Sequence, residues 1–121
     1  MRRPSLGLVV AINHRVRHAD EWFDEPDELD RVQRVLASID SEDDPVIAAA
    51  LLAARLTRAQ AFSEANKRTA LLVARWILDR NGLDGALFIP ANDLGLADLL
   101  VKAAAGEDVE AEIVEYFDRR R

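Results

Sequence analysis

Apolar residues three and four apart recur along the whole chain, whereas only one triplet, Leu87-Phe88-Ile89, has the pattern of a strand. One triplet cannot make a sheet, because a stable sheet needs several strands sharing an apolar face. The chain is therefore expected to be all-α, a single-domain bundle of about six helices. Leu6, Val9, Val10, Ile12 and Val16 predict a first helix over Ser5 to His18, with Ser5 as its N-cap. An Asp-rich stretch through Pro26 interrupts it, and Leu29, Val32, Val35, Leu36 and Ile39 predict a second helix from Asp27 onward. Ser41 to Pro45 reads as a stop and restart, with Asp44 as cap and Pro45 in the first turn of a third helix reaching Thr57 or Ala59.

That third helix carries Val46, Ile47, Leu51, Leu52 and Leu56, with alanine at most remaining positions, and is expected to be central and buried nearly all round. A fourth helix is predicted from near Ala65 through Leu78, closed by Asn81-Gly82. Leu83 to Pro90 is expected to be a short extended segment. Asp93 to Ala105, ended by Gly106, and Val109 to Phe117 predict the fifth and sixth helices.

The 121 residues suit one domain, 1–121, and half of them are apolar, enough for a core without staples. Without cysteine there is no disulfide framework and no thiolate zinc site. A net charge of −6 argues against direct nucleic-acid binding, which needs a basic face to neutralise phosphates. No apolar run approaches the roughly 18–20 residues that span a bilayer. The apolar stretch Leu6 to Ile12 behind Arg2 and Arg3 lacks a cleavage pattern, so a cytoplasmic protein without membrane partners is expected. Acidic residues crowd Asp20 to Asp30, and Arg119, Arg120 and Arg121 close the chain; both runs read as solvated surface, with the acidic run also a candidate contact for a basic partner.

Between two strongly apolar helices lies a polar island, Gln60-Ala61-Phe62-Ser63-Glu64-Ala65-Asn66-Lys67-Arg68-Thr69-Ala70. A helix starting just after Glu64 leaves its first backbone N–H groups unpaired, and its dipole adds partial positive charge, so that end attracts anions. Asn66 offers amide donors, Lys67 a mobile cation, and Arg68 a planar fork matched to phosphate oxygens. Glu64 is a carboxylate able to hold magnesium together with substrate phosphates. Read alone, the same residues also suit simple caps and solvated charge.

The island resembles the Fic/Doc signature, His-x-Phe-x-(Asp/Glu)-(Ala/Gly)-Asn-(Gly/Lys)-Arg, matching every specified position except the first, where Gln60 stands. The Asn-Lys-Arg-Thr-Ala continuation, the helix ending at Asn81-Gly82 and the Ala-rich helix before the island are similar to the Doc branch, toxins of addiction modules. Ile12-Asn13 and the Leu100 to Glu107 stretch are family-like in relaxed form. The resemblance implies a Fic/Doc-like bundle with central helices around an anion-binding helix N-terminus. It implies that Glu64 binds magnesium, that Asn66, Lys67 and Arg68 hold the phosphates of ATP or another nucleoside triphosphate, and that Lys67 and Arg68 serve catalysis beside position 60. Lys67 and Leu71 stand where Fic adenylyltransferases usually have glycine and a second arginine, so the resemblance favours phosphate transfer over adenylylation. In Doc proteins the acceptor is a threonine hydroxyl of elongation factor Tu, and a Phd-type antitoxin helix blocks the site.

The family histidine is the general base, and Gln60 cannot take a proton near neutral pH. Positioning and electrostatic stabilisation survive its absence, so attenuated transfer is expected. His14 and His18 lie outside the motif and are not nominated as replacements, and Phe62 and Trp76 are expected to pack in the core. Three readings stay open: an attenuated Doc-like toxin, a nucleotide- or protein-binding pseudoenzyme, and a Fic-fold protein acting on a small-molecule hydroxyl in biosynthesis.

Overall fold

The computed structural model describes residues 1–17 and 26–121. Among these residues the chain forms seven helices and no strand: α1 (Leu6–Val16), α2 (Leu29–Ser38), α3 (Pro45–Ala59), α4 (Asn66–Arg80), α5 (Gly85–Phe88), α6 (Leu94–Ala104) and α7 (Glu110–Asp118). Their starts follow local chemistry. The side chains of Ser5, Asp44, Asp84 and Asp93 accept hydrogen bonds from first-turn amides of α1, α3, α5 and α6, and Pro45 fills the first turn of α3, where an N–H has no partner to lose. Behind α4 and α6 the chain turns through Gly82 and Gly106 at φ +82° and +92°, a region open to glycine.

One expected element is corrected. Leu83 to Pro90 is not extended, because Asp84 caps a single helical turn over Gly85–Phe88. That turn puts Phe88 into the core at 4% exposure and leaves Leu87 outside at 65%. Gly85 lets it sit against α4, since a Cβ there would lie 2.6 Å from Arg75 Cγ and 3.0 Å from the Arg75 carbonyl oxygen. α2 begins at Leu29 rather than Asp27, whose carboxylate is engaged by Arg17 and by the Ser63 N–H. His18 and the part of the acidic run from Asp20 to Glu25 lie outside the described residues.

α3 is the axis of the molecule and packs on α2, α4, α6 and α7, while α4 packs in turn on α1 and α5. Ala48, Ala49, Ala50, Ala53 and Ala54 are buried along α3, and their short side chains let the neighbouring helices close around it. Leu52, Leu56, Val73, Ile77, Leu78, Ile113 and Phe117 fill the interior as large buried side chains. The C-terminal arginines are less free than a solvated tail. Arg120 reaches the Asp93 carboxylate at 3.1 Å and lies 3.6 Å over the Tyr116 ring, and Arg121 pairs with Asp44 and Asp118. No described helix is long and apolar enough to cross a membrane.

Candidate anion-binding site

The short loop 60–65 joins the two central helices, and both of its ends are left-handed. Gln60 closes α3 at φ 48°, and its side-chain Nε2 donates to the Thr57 carbonyl at 2.7 Å, filling one of the acceptors that a helix end leaves open. Ala61 and Phe62 then turn into the core, at 2% and 3% exposure. Asn66 grips Phe62 from both sides: its Oδ1 accepts from the Phe62 N–H at 3.0 Å, and its Nδ2 donates to the Phe62 carbonyl at 2.9 Å. The same Nδ2 lies 3.5 Å from Gln60 Oε1. The side-chain amide of Asn66 therefore shapes the loop, and what this residue offers outward is its backbone N–H.

Ala65, at φ 64°, is the N-cap of α4 and has no side chain with which to cap it. The first hydrogen bond of this helix runs from Thr69 N–H to the Ala65 carbonyl at 2.9 Å, so Asn66, Lys67 and Arg68 N–H have no intrahelical acceptor. The first turn contains no acidic residue. Lys67 and Arg68 are both exposed there, which sets two cations beside the positive end of a helix dipole.

These groups line a cleft of about 360 Å³ formed by Gln60, the residues from Ser63 to Arg68, and Ala104 of α6. Ser63 Oγ is buried there with no hydrogen-bond partner among the described residues. Arg68 Nη2 lies 3.3 Å from Glu64 Oε1 in a partly exposed pair. Of the expected site residues, Gln60, Glu64, Asn66, Lys67 and Arg68 thus share one cleft. His14 does not line it; its imidazole is 3.9 Å from the Asp27 carboxylate. The island's polarity did not reveal a set of supports behind it: Asn13 and Arg17 at the end of α1, and Asp27, expected in the acidic run and at the start of the second helix, hold the loop from outside the cleft.

The donor set fits a phosphate chain: three open backbone N–H groups, an ammonium and a guanidinium, with an orphaned hydroxyl in the wall. No cluster of three or more His, Asp or Glu side chains suited to a metal occurs among the described residues. Glu64 is the one carboxylate among the cleft-lining residues, and that fits magnesium only where phosphate oxygens and water complete the shell.

Residues 5–78, from the N-cap of α1 to near the end of α4, match the model of the Fic/DOC family. The span is well over half of the chain and contains the whole loop, so the chain belongs to the Fic/DOC family. Membership points to AMPylation or phosphotransferase-type chemistry, for which members of the family generally use a nucleoside triphosphate and a metal. No curated protein matches the chain.

Proposed function

We propose that this protein is a Doc-like toxin scaffold for nucleotide-dependent phosphate transfer to a protein hydroxyl, slowed or silenced because Gln60 stands in the place of the general base. The observation that carries the reading is the open start of α4, where unpaired N–H groups and the cations Lys67 and Arg68 face one cleft with Gln60 on its wall. The backbone N–H groups of Asn66 to Arg68 bind phosphate oxygens, Lys67 neutralises charge, and Arg68 offers a two-pronged contact. Glu64 would hold magnesium together with the phosphate oxygens. Bound ATP supplies the phosphoryl group. Gln60 can orient an incoming hydroxyl through its amide but cannot accept its proton, a deficit of about 10²–10⁴ in rate. Lys67 and Leu71, in place of the adenylyltransferase glycine and second arginine, support transfer of the terminal phosphate.

The proposed acceptor is a threonine of an elongation factor Tu-like target in the cytoplasm. The proposed antitoxin is a Phd-like helix, for which the groove of about 370 Å³ between α1 and α4 is suited. Ile12, Val16, Leu72 and Trp76 give the groove apolar walls, and Arg15 and Arg75, which outnumber the single acid Asp79 in its lining, favour acidic flanks on the helix. One observation favours a second reading, binding without transfer: Gln60 Nε2 is held by the Thr57 carbonyl, and Oε1 lies beside Asn66, so the amide serves the loop.

Calorimetry of magnesium-dependent ATP binding, on this protein and on Gln60→His, followed by radiolabelled phosphate transfer to elongation factor Tu, separates the two. Binding by both with transfer by the histidine form is expected. Binding by both without transfer supports the second reading, and no binding by either refutes phosphate transfer and nucleotide binding together, leaving a protein partner as the ligand of the second reading.

A further inference from the structure

Behind the cleft, three side chains from outside the motif converge on the loop. Asn13 is fully buried on α1; its Nδ2 donates to the Glu64 carbonyl at 3.0 Å and to Thr69 Oγ1 at 3.1 Å. Its Oδ1 accepts from Arg17 Nε at 2.8 Å and also from Arg17 Nη2. Arg17 Nη2 reaches both oxygens of Asp27 at 2.9 Å, and Asp27 Oδ1 accepts from the Ser63 N–H at 3.1 Å. The guanidinium also lies 6.0 Å from the centre of the Phe62 ring.

We infer that Arg17 is a positioning residue for the anion-binding end of α4, acting through Asn13 and Asp27. The inference rests on the proposal that this end binds nucleotide phosphates. Asn13 and Asp27 hold the Glu64 carbonyl and the Ser63 N–H, and the Arg17 guanidinium ties those two holders together. Asn66 fixes Phe62 on the other side. Backbone on both sides is thus pinned immediately before Ala65, whose left-handed conformation persists only where its surroundings over-determine it. The direction of the three open N–H groups is set by that residue. Asn13, Arg17 and Asp27 do not line the cleft, so their effect on a ligand passes through the loop. The guanidinium serves both holders in fixed directions, with Nε and Nη2 on the Asn13 amide oxygen and Nη2 also on the Asp27 carboxylate.

Arg17→Met keeps an unbranched stem beside Phe62 and removes the fork. If the competent loop arrangement falls to about a tenth of the population, the apparent Kd for magnesium-ATP rises about tenfold. Calorimetric affinity, amide hydrogen exchange at Ser63 and urea stability are measured together on the intact chain. Weaker ATP binding with faster exchange at Ser63 is expected in a protein that stays folded. A lower urea midpoint with unchanged affinity would mean that the network only stabilises the fold, and overturns the inference. Arg17→Lys keeps the charge without the fork and is expected to stay weak; full affinity in this variant also overturns it, and this variant decides the matter should Arg17→Met not fold. If the parent protein does not bind magnesium-ATP, the nucleotide reading fails separately, and the positioning role is judged on exchange: unchanged protection of Ser63 in Arg17→Met overturns it.

Discussion

Replacing Asn66 by alanine tests whether this side chain shapes the loop or serves a ligand. Asn66 is 9% exposed, and its amide satisfies both the N–H and the carbonyl of buried Phe62, at 3.0 and 2.9 Å. Truncation leaves two buried backbone groups without partners, each worth about 1–3 kcal/mol. The better helix propensity of alanine offsets less than about 1 kcal/mol. The expected loss is therefore about 2–5 kcal/mol, large against the roughly 5–15 kcal/mol that holds a domain folded. Urea unfolding followed by circular dichroism reads this as a drop in midpoint of about 1–2.5 M for a slope of about 2 kcal/mol per molar. Asn66→Asp keeps an acceptor for the Phe62 N–H but sets a carboxylate against the Phe62 carbonyl, so it does not rescue. A stability within about 0.5 kcal/mol of the parent in Asn66→Ala, with ATP affinity lost, would refute the reasoning and return the side chain to the ligand.

Arg68→Ala is expected to do the opposite. Its pair with Glu64 is partly exposed, so stability changes by less than about 1 kcal/mol, while losing a charged contact to phosphate weakens ATP binding about tenfold to a hundredfold in calorimetry; unchanged affinity would remove Arg68 from the site. Gly85→Ala meets the Arg75 carbonyl and the Asp79 carboxylate and is expected to lower stability by about 1–3 kcal/mol, a prediction that a neutral melting curve would sink. Ala65→Gly relieves a left-handed alanine worth about 1–2 kcal/mol against an unfolded-chain entropy cost of about 0.4–1 kcal/mol, so a net gain between about 0 and 1.6 kcal/mol is expected, and a clear loss of stability contradicts it. Burial, with the neighbouring Asp93 carboxylate adding to it, raises the Tyr116 phenol well above its ordinary 10.0. Because the unfolded chain releases this proton near pH 10.0 and the folded one later, the stability it contributes is complete below that pH and declines above it. Tyr116 is the chain's one tyrosine, so phenolate absorbance appearing with an ordinary midpoint in the folded protein would show the hydroxyl to be solvated.

The long helices were legible because each carries several turns of apolar spacing and a recognisable end. Asp44-Pro45 opens α3, and the turns at Gly82 and Gly106 follow α4 and α6. α5 was not, since four residues are too few to display a period and Leu87-Phe88-Ile89 imitates a strand; the deciding signal was the capping Asp84 ahead of a glycine. The site's outer face was legible from the types Lys67 and Arg68 and from the polar interruption of two apolar helices. Its inner face was not. Whether an asparagine aims at a phosphate or at the chain's own Phe62 depends on a loop conformation that residue type does not encode. The Asn13, Arg17 and Asp27 network joins residues up to 56 positions apart, so no local window contains it.

Three of the helices among the described residues, α2, α4 and α7, begin without a side-chain cap. For α2 and α7 the first turn supplies an acidic residue, Asp30 in one and Glu110 with Glu112 in the other, which complements the positive helix end. α4 does the reverse, with Lys67 and Arg68 in its first turn and open N–H groups pointing the same way. Like charges gathered there are unfavourable in the free protein, and the Glu64 carboxylate pairs with Arg68 beside them. An anion relieves all of them at once. On the proposed reading, holding the anion and accepting the proton are separable tasks: the first rests on backbone and cations that this chain possesses, the second on one side chain at position 60. Gln60→His is therefore expected to leave ATP affinity within about twofold, less than about 0.5 kcal/mol, while raising transfer by about 10²–10⁴. A large change in affinity together with the rate would show that the two tasks are coupled through the loop.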